Sequence, residues 1–159
     1  MTTQLAIIGS QSGSLTSSHG SRRALQRALG KADRRLLTDA IQEFAAYVDP
    51  SGEASTRPGM AYRNMTAMVY RPAGLNALQR RAKAAGENAR DAMSEGELEF
   101  LRVAERTTAD LLRLGMAEGR SRKAIKADVR AHVDRLAEVM RPSLELAKRY
   151  AASVAEDLA

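Results

Sequence analysis

Residues able to do covalent chemistry are few in this chain, and their spacing does not suit it. The only imidazoles are His19 and His132. His19 stands in a Ser/Gly/Thr stretch. His132 falls near the apolar side of a helical pattern, where a hydrogen-bonded structural histidine is expected. There is no cysteine, which excludes thiolate nucleophiles, disulfides and Cys-based zinc sites. The acids Asp91, Glu95, Glu97 and Glu99 could suggest a divalent cation. They lack the loop spacing of a calcium site, and a helix start favours acids electrostatically in any case. No Gly-rich phosphate loop follows a strand pattern. The expectation is a protein that is not an enzyme and needs no metal or cofactor.

Binding chemistry is better represented. The charge is +6, from 25 Lys+Arg against 19 Asp+Glu. Arginine dominates, and its planar fork suits oxyanions and interfaces. One basic cluster is Arg22, Arg23, Arg27, Lys31, Arg34 and Arg35, opposed by Asp33 alone. Cations at the front of a helix work against its dipole, which suggests a partner. A weaker cluster is Arg80, Arg81 and Lys83, followed by Arg90. The last is Arg120, Arg122, Lys123, Lys126 and Arg130, across a turn and into a helix, where free amides add to the charge. The first and last clusters are the expected nucleic-acid contacts.

The segment Gly119-Arg120-Ser121-Arg122-Lys123-Ala124-Ile125 resembles the turn and recognition-helix start of DNA-reading helix-turn-helix proteins. Glu118 and Arg120 stand where that motif buries apolar side chains. Ala117 to Ser121 is also similar to a helix-turn-helix corner of phage minor head proteins. A different signal is Met60, Met65 and Met68 with Tyr62 and Tyr70, flanked by Arg57, Arg63 and Arg71. Methionine surfaces adapt, and Tyr with Arg is the composition of interface anchors. Together Tyr and Arg can also grip single-stranded nucleic acid.

Helices must position these groups. Aromatics are 4% with no Trp, so Ala, Leu, Val and Met build the core, which suits helix-on-helix packing. Residues 1–20 read as a flexible tail with an apolar end, Leu5, Ile7 and Ile8, carried on a Ser/Gly linker as a candidate docking arm. A helix is predicted from Ser21, with Leu25, Leu29, Ala32, Leu36, Leu37, Ile41, Phe44 and Val48 on its apolar face. A short helix covers Met60 to Tyr70. Another opens at Pro72 and carries Leu75, Leu78, Ala82, Ala85, Ala89 and Met93. Ser94 with Glu97 forms a capping box for a helix that buries Leu98, Leu101, Ala104, Thr108, Leu111 and Leu112. Helices from Ser121 and from Pro142 follow. Leu36 and Leu111 rank among the expected core positions.

The 159 residues make one domain: an all-α bundle of about five or six helices over 21–159. No stretch reaches the roughly 20 apolar residues of a membrane span, so no membrane contact and a cytoplasmic location are expected. The expected function is a non-enzymatic basic subunit of a larger assembly, contacting nucleic-acid backbone without strong sequence readout. The alternative is a structural protein, such as a phage virion or scaffold component, acting through protein contacts or self-association. A helix-turn-helix-like DNA-binding regulator is a third.

Overall fold

A computed structural model describes residues 15–52 and 57–157. Side chains are described for residues 24–146, apart from 53–56 and 58, and for Arg149 and Ser153. Leu5, Ile7 and Ile8 lie outside the described residues, as do the side chains of His19, Arg22 and Arg23. The described residues fold as an all-α bundle of five helices, α1 (Leu15–Ala46), α2 (Pro58–Tyr70), α3 (Leu75–Ala84), α4 (Glu95–Ala117) and α5 (Arg122–Asp157). A 3-10 turn at Ala89–Ala92 precedes α4. Among the described residues there is no strand, and no helix is long and apolar enough to cross a membrane.

Helix α4 is the centre of the bundle. Its start is the capping box: Ser94 Oγ accepts from the Glu97 amide at 3.3 Å, and Glu97 Oε2 accepts from the Ser94 amide at 2.9 Å. It packs mainly on α1 and α5. Phe100, Leu101, Ala104, Ala109 and Leu112 of α4 are buried with Leu37, Ala40, Ile41, Phe44 and Ala45 of α1, and with Ile125, Val129, Val133 and Ala137 of α5. Alanines on these faces let the helices approach closely. Gly115 is closer still, because an added Cβ would lie 2.6 Å from Ile125 Cγ1. Helix α2 seats Ala61, Met65, Val69 and Tyr70 in the same core.

Four boundaries differ from the sequence expectation. Helix α1 is already formed at Leu15 rather than near Ser21. Gly20 costs it about 1 kcal/mol relative to Ala, a loss that a 32-residue helix absorbs. The helix expected to run from Pro72 through Met93 instead begins at Leu75 and stops at Ala84. Gly86 takes φ 70° and closes a Schellman motif, with Glu87 N donating to Ala82 O and Gly86 N to Lys83 O. The two last helices are one, and Pro142 lies inside α5. An internal proline costs about 3 kcal/mol. Continuation through it keeps Leu144 on the face of Val133 and Ala137, where all three are buried.

The apolar face expected on α1 is buried only in part. Leu25, Leu29, Ala32 and Leu36 are exposed, as is Val48 just past the helix. The core takes the neighbouring track of Leu37, Ile41 and Phe44, which ends in the largest apolar side chain of α1. Leu111 is half-buried, and its neighbour Leu112 is fully buried.

A charge sits inside the bundle. Glu105 on α4 has no exposed surface. Arg90, from the 3-10 turn, donates Nη2 to both of its carboxylate oxygens at 2.6 Å. Arg34 of α1 donates Nη1 to Oε1 at 3.2 Å. The same guanidinium reaches the hydroxyls of Tyr70 at 2.8 Å and of Tyr62, both on α2. Burial alone would lower the Arg34 pKa; Tyr70, Tyr62 and Glu105 outweigh it and raise the pKa above the ordinary arginine value. Arg90 also donates Nη1 to the Gly30 carbonyl at 3.1 Å. At the surface, Arg113 hydrogen-bonds Glu43 at 2.9 and 3.0 Å and holds its carboxyl below the ordinary value. That pair is intact near neutrality and weakens as acid protonates Glu43.

Breaking a buried pair by removing one partner costs about 3–5 kcal/mol. Glu105→Ala is therefore expected to lower the unfolding free energy by about that amount in urea denaturation. Leu36→Ala, at a site 39% exposed, should cost less, about 1–2 kcal/mol.

Candidate nucleic-acid interface

The turn between α4 and α5 closes with Gly119 N donating to Met116 O and Arg120 N to Gly115 O, both at 3.0 Å. Ser121 then caps α5, its Oγ accepting from the Ala124 amide at 3.2 Å. Arg122, the first residue of α5, is buried at 3% exposure. Its Nη1 donates to the carbonyls of Phe44 at 2.6 Å and Tyr47 at 2.7 Å. Its guanidinium lies 4.4 Å from the Phe44 ring centroid. The last carbonyls of a helix lack intrahelical partners, and a cation there also meets the negative end of the helix dipole. Arg122 thus caps the end of α1. Asp49 returns the favour to α5, accepting from the Arg122 amide at 2.8 Å.

This placement corrects part of the expected phosphate-binding set. Arg122 is a structural cap. Arg120 is held by Asp128, with Glu118 at 4.0 Å. Lys123 and Arg130 are exposed and Lys126 half-buried, and these three form no ion pair among the described residues. In the first cluster, Arg34 belongs to the Glu105 network and Arg27 pairs with Asp91 at 3.0 Å. Lys31 and Arg35 remain exposed. In the second, Arg80, Arg81 and Lys83 are exposed and Arg90 is bound to Glu105.

The tyrosines of α2 are likewise not free to stack on bases. Tyr70 is buried, and Tyr62 is half-buried with its hydroxyl on Arg34. Met65 is buried in the core, so of the expected methionine and tyrosine anchors on α2 Met60 alone is exposed. His132 is half-buried, and its Nε2 has no hydrogen-bond partner, unlike the bonded histidine expected. The acidic group is dispersed into contacts: Asp91 on Arg27, Glu97 in the capping box, Glu99 on Arg102 at 3.1 Å.

The structure brings together residues that the sequence kept apart. A groove of about 360 Å³ runs between α2 and α5. Arg71, Lys126 and Arg130 line it, with Asn64 and Asn76, and no carboxylate is among the lining residues. Phe44, Ala61, Met65 and Arg122 are its buried residues. Arg122 Nη2 is buried without a hydrogen-bond partner. Lys126 Nζ lies 6.0 Å from the Phe44 ring centroid. Asn76 Nδ2 is tied to the Ala67 carbonyl at 3.2 Å. Two further hollows beside α1 contain carboxylates, Glu87 in one and Asp91 in the other. Arg71 of this groove was legible only as an interface residue, and Asn64 and Asn76 carried no signal of their own.

No protein-family model matches the chain, and no curated protein or solved structure is significantly similar to it.

The double role of Arg122 separates folding from binding. Arg122→Met removes two charged hydrogen bonds and should lower stability by about 1.5–3 kcal/mol. Lys126→Ala should stay within about 0.5 kcal/mol of the parent. Thermal and urea unfolding of the two variants check this contrast.

Proposed function

We propose that this chain is a non-enzymatic helical binding subunit of a larger assembly that holds nucleic-acid backbone in the groove between α2 and α5. The observation that carries the reading is a concave surface with Arg71, Lys126, Arg130 and buried Arg122, without a carboxylate. A phosphodiester is a singly charged anion with two unesterified acceptor oxygens. Cations on flexible stems neutralise it and release counterions. Phosphate contacts position a nucleic acid without reading its sequence. The cysteine-free composition suits a reducing compartment, and we place the protein in the cytoplasm.

A second reading, a structural protein acting through protein–protein contacts, is favoured by one observation: Leu25, Leu29 and Leu36 are exposed on one helix.

Binding to short DNA and RNA duplexes and single strands is expected to fall steeply with salt, log K declining linearly with log salt. Unrelated sequences should bind alike. The triple variant Arg71→Ala/Lys126→Ala/Arg130→Ala should keep its helical circular dichroism and lose up to about 2–3 in that slope on duplex DNA. Absence of binding at low salt, or an unchanged slope in the variant, overturns the reading. Strong preference for one duplex sequence would point to a regulator instead.

A further inference from the structure

The exposed leucines of α1 form a pattern. Leu25, Leu29, Ala32 and Leu36 are spaced four, three and four residues apart, and all four are exposed. At 3.6 residues per turn they fall within about 60° of one another. The stripe is about 16 Å long, or three turns. Single exposed leucines are ordinary. A heptad-spaced run is the seam by which one helix receives another.

The charges around the stripe say what kind of helix that is. On its outer side stand Lys31 and Arg35, both exposed. On its other side is the rim of α4 that faces α1. Arg102 and Arg113 reach from this rim to Asp33 and Glu43 of α1. Arg106 shares their side of α4 by helical spacing and is exposed. The acid within the stripe's span, Asp33, is buried on Arg102 and is not presented outward; past Leu36 the same spacing reaches Asp39 and Glu43, both exposed, with Glu43 paired to Arg113. A second copy of α1 would therefore set Lys31 and Arg35 against their like. Opposite charge is the complement that both guides and retains a helical partner.

We propose that this stripe is a docking site for an amphipathic helix of another protein whose apolar heptad seam is flanked by carboxylates. The site uses α1 and α4 and does not depend on the groove between α2 and α5.

The test uses two labelled synthetic peptides of three heptads, both with Leu at the seam positions. One has Glu and the other Lys at the flanking positions. Fluorescence anisotropy against the full chain at low salt should show the Glu peptide binding at least ten times more tightly than the Lys peptide. Leu29→Asp should weaken the Glu peptide tenfold or more while leaving the melting temperature unchanged. Lys31→Glu/Arg35→Glu should narrow or invert the preference between the peptides. The proposal fails if neither peptide binds, if both bind equally, or if Leu29→Asp has no effect. It also fails if sedimentation shows a homodimer that Leu29→Asp dissociates, because a second copy would then occupy the stripe.

Discussion

The buried carboxylate of Glu105 sets the terms for the rest of the bundle. Taking a carboxylate out of water costs several kcal/mol even after relaxation. Here it is offset by guanidinium groups from two other elements. Arg90 holds both oxygens, and Arg34 adds a third hydrogen bond. Neither arginine can reach Glu105 unless α1, the 3-10 turn and α4 meet in one register. Arg34 then extends the condition to α2 through Tyr62 and Tyr70. An apolar core of Ala, Leu and Val tolerates small slips between helices. A buried charge with these partners does not, because any slip leaves a charge unpaired.

That network also decides which cations face solvent. A formal charge of +6 suggests a surplus spread over the surface, yet much of the arginine is used internally. Arg34 and Arg90 serve Glu105, Arg102 serves Asp33, and Arg122 caps α1. Arg27, Arg113 and Arg120 are engaged in ion pairs that cross between elements or span a turn. The basic character that remains is dispersed, among other places to Arg71, Lys126 and Arg130 in the groove, Lys31 and Arg35 on α1, Arg80, Arg81 and Lys83 on α3, Arg106 on α4 and Lys123 on α5. Clusters in sequence and clusters in space are thus different sets. Helical rotation disperses the first, and packing assembles the second.

Legibility followed the range of the interactions. The capping box at Ser94 and Glu97 is local, and its residues announced the start of α4. The three-and-four spacing of α4 and of α5 up to Met140 likewise depends on neighbours within two turns. The buried position of Glu105 had a trace in the sequence, because it interrupts the apolar track of Leu101, Thr108 and Leu112. The partner of Arg122 had none. Its acceptors, Phe44 and Tyr47, lie 78 and 75 residues away, so an arginine in a basic turn looked like a phosphate ligand. Pro142 was misleading for a related reason: the penalty of a proline is local, whereas the burial of Leu144 that offsets it is tertiary. In α1 two apolar tracks compete, and periodicity alone does not say which one α4 covers.

Helix α1 shows how the fold divides such labour. One of its tracks, Leu37, Ile41 and Phe44, is consumed by the core. A second carries Arg27 and Arg34 into ion pairs with Asp91 and Glu105. The third, from Leu25 to Leu36, is left uncovered. Burying a leucine is worth about 1.5–3 kcal/mol, so these three leucines, 39–60% exposed, represent stabilisation that the isolated bundle collects only in part. The first two tracks hold α1 in fixed rotation against α4, because turning it to cover the leucines would pull Arg34 off Glu105. The charge at the centre therefore keeps the apolar stripe facing outward. A surface held exposed by the geometry of the core is pre-organised for a partner, which then need not supply the free energy of rearrangement.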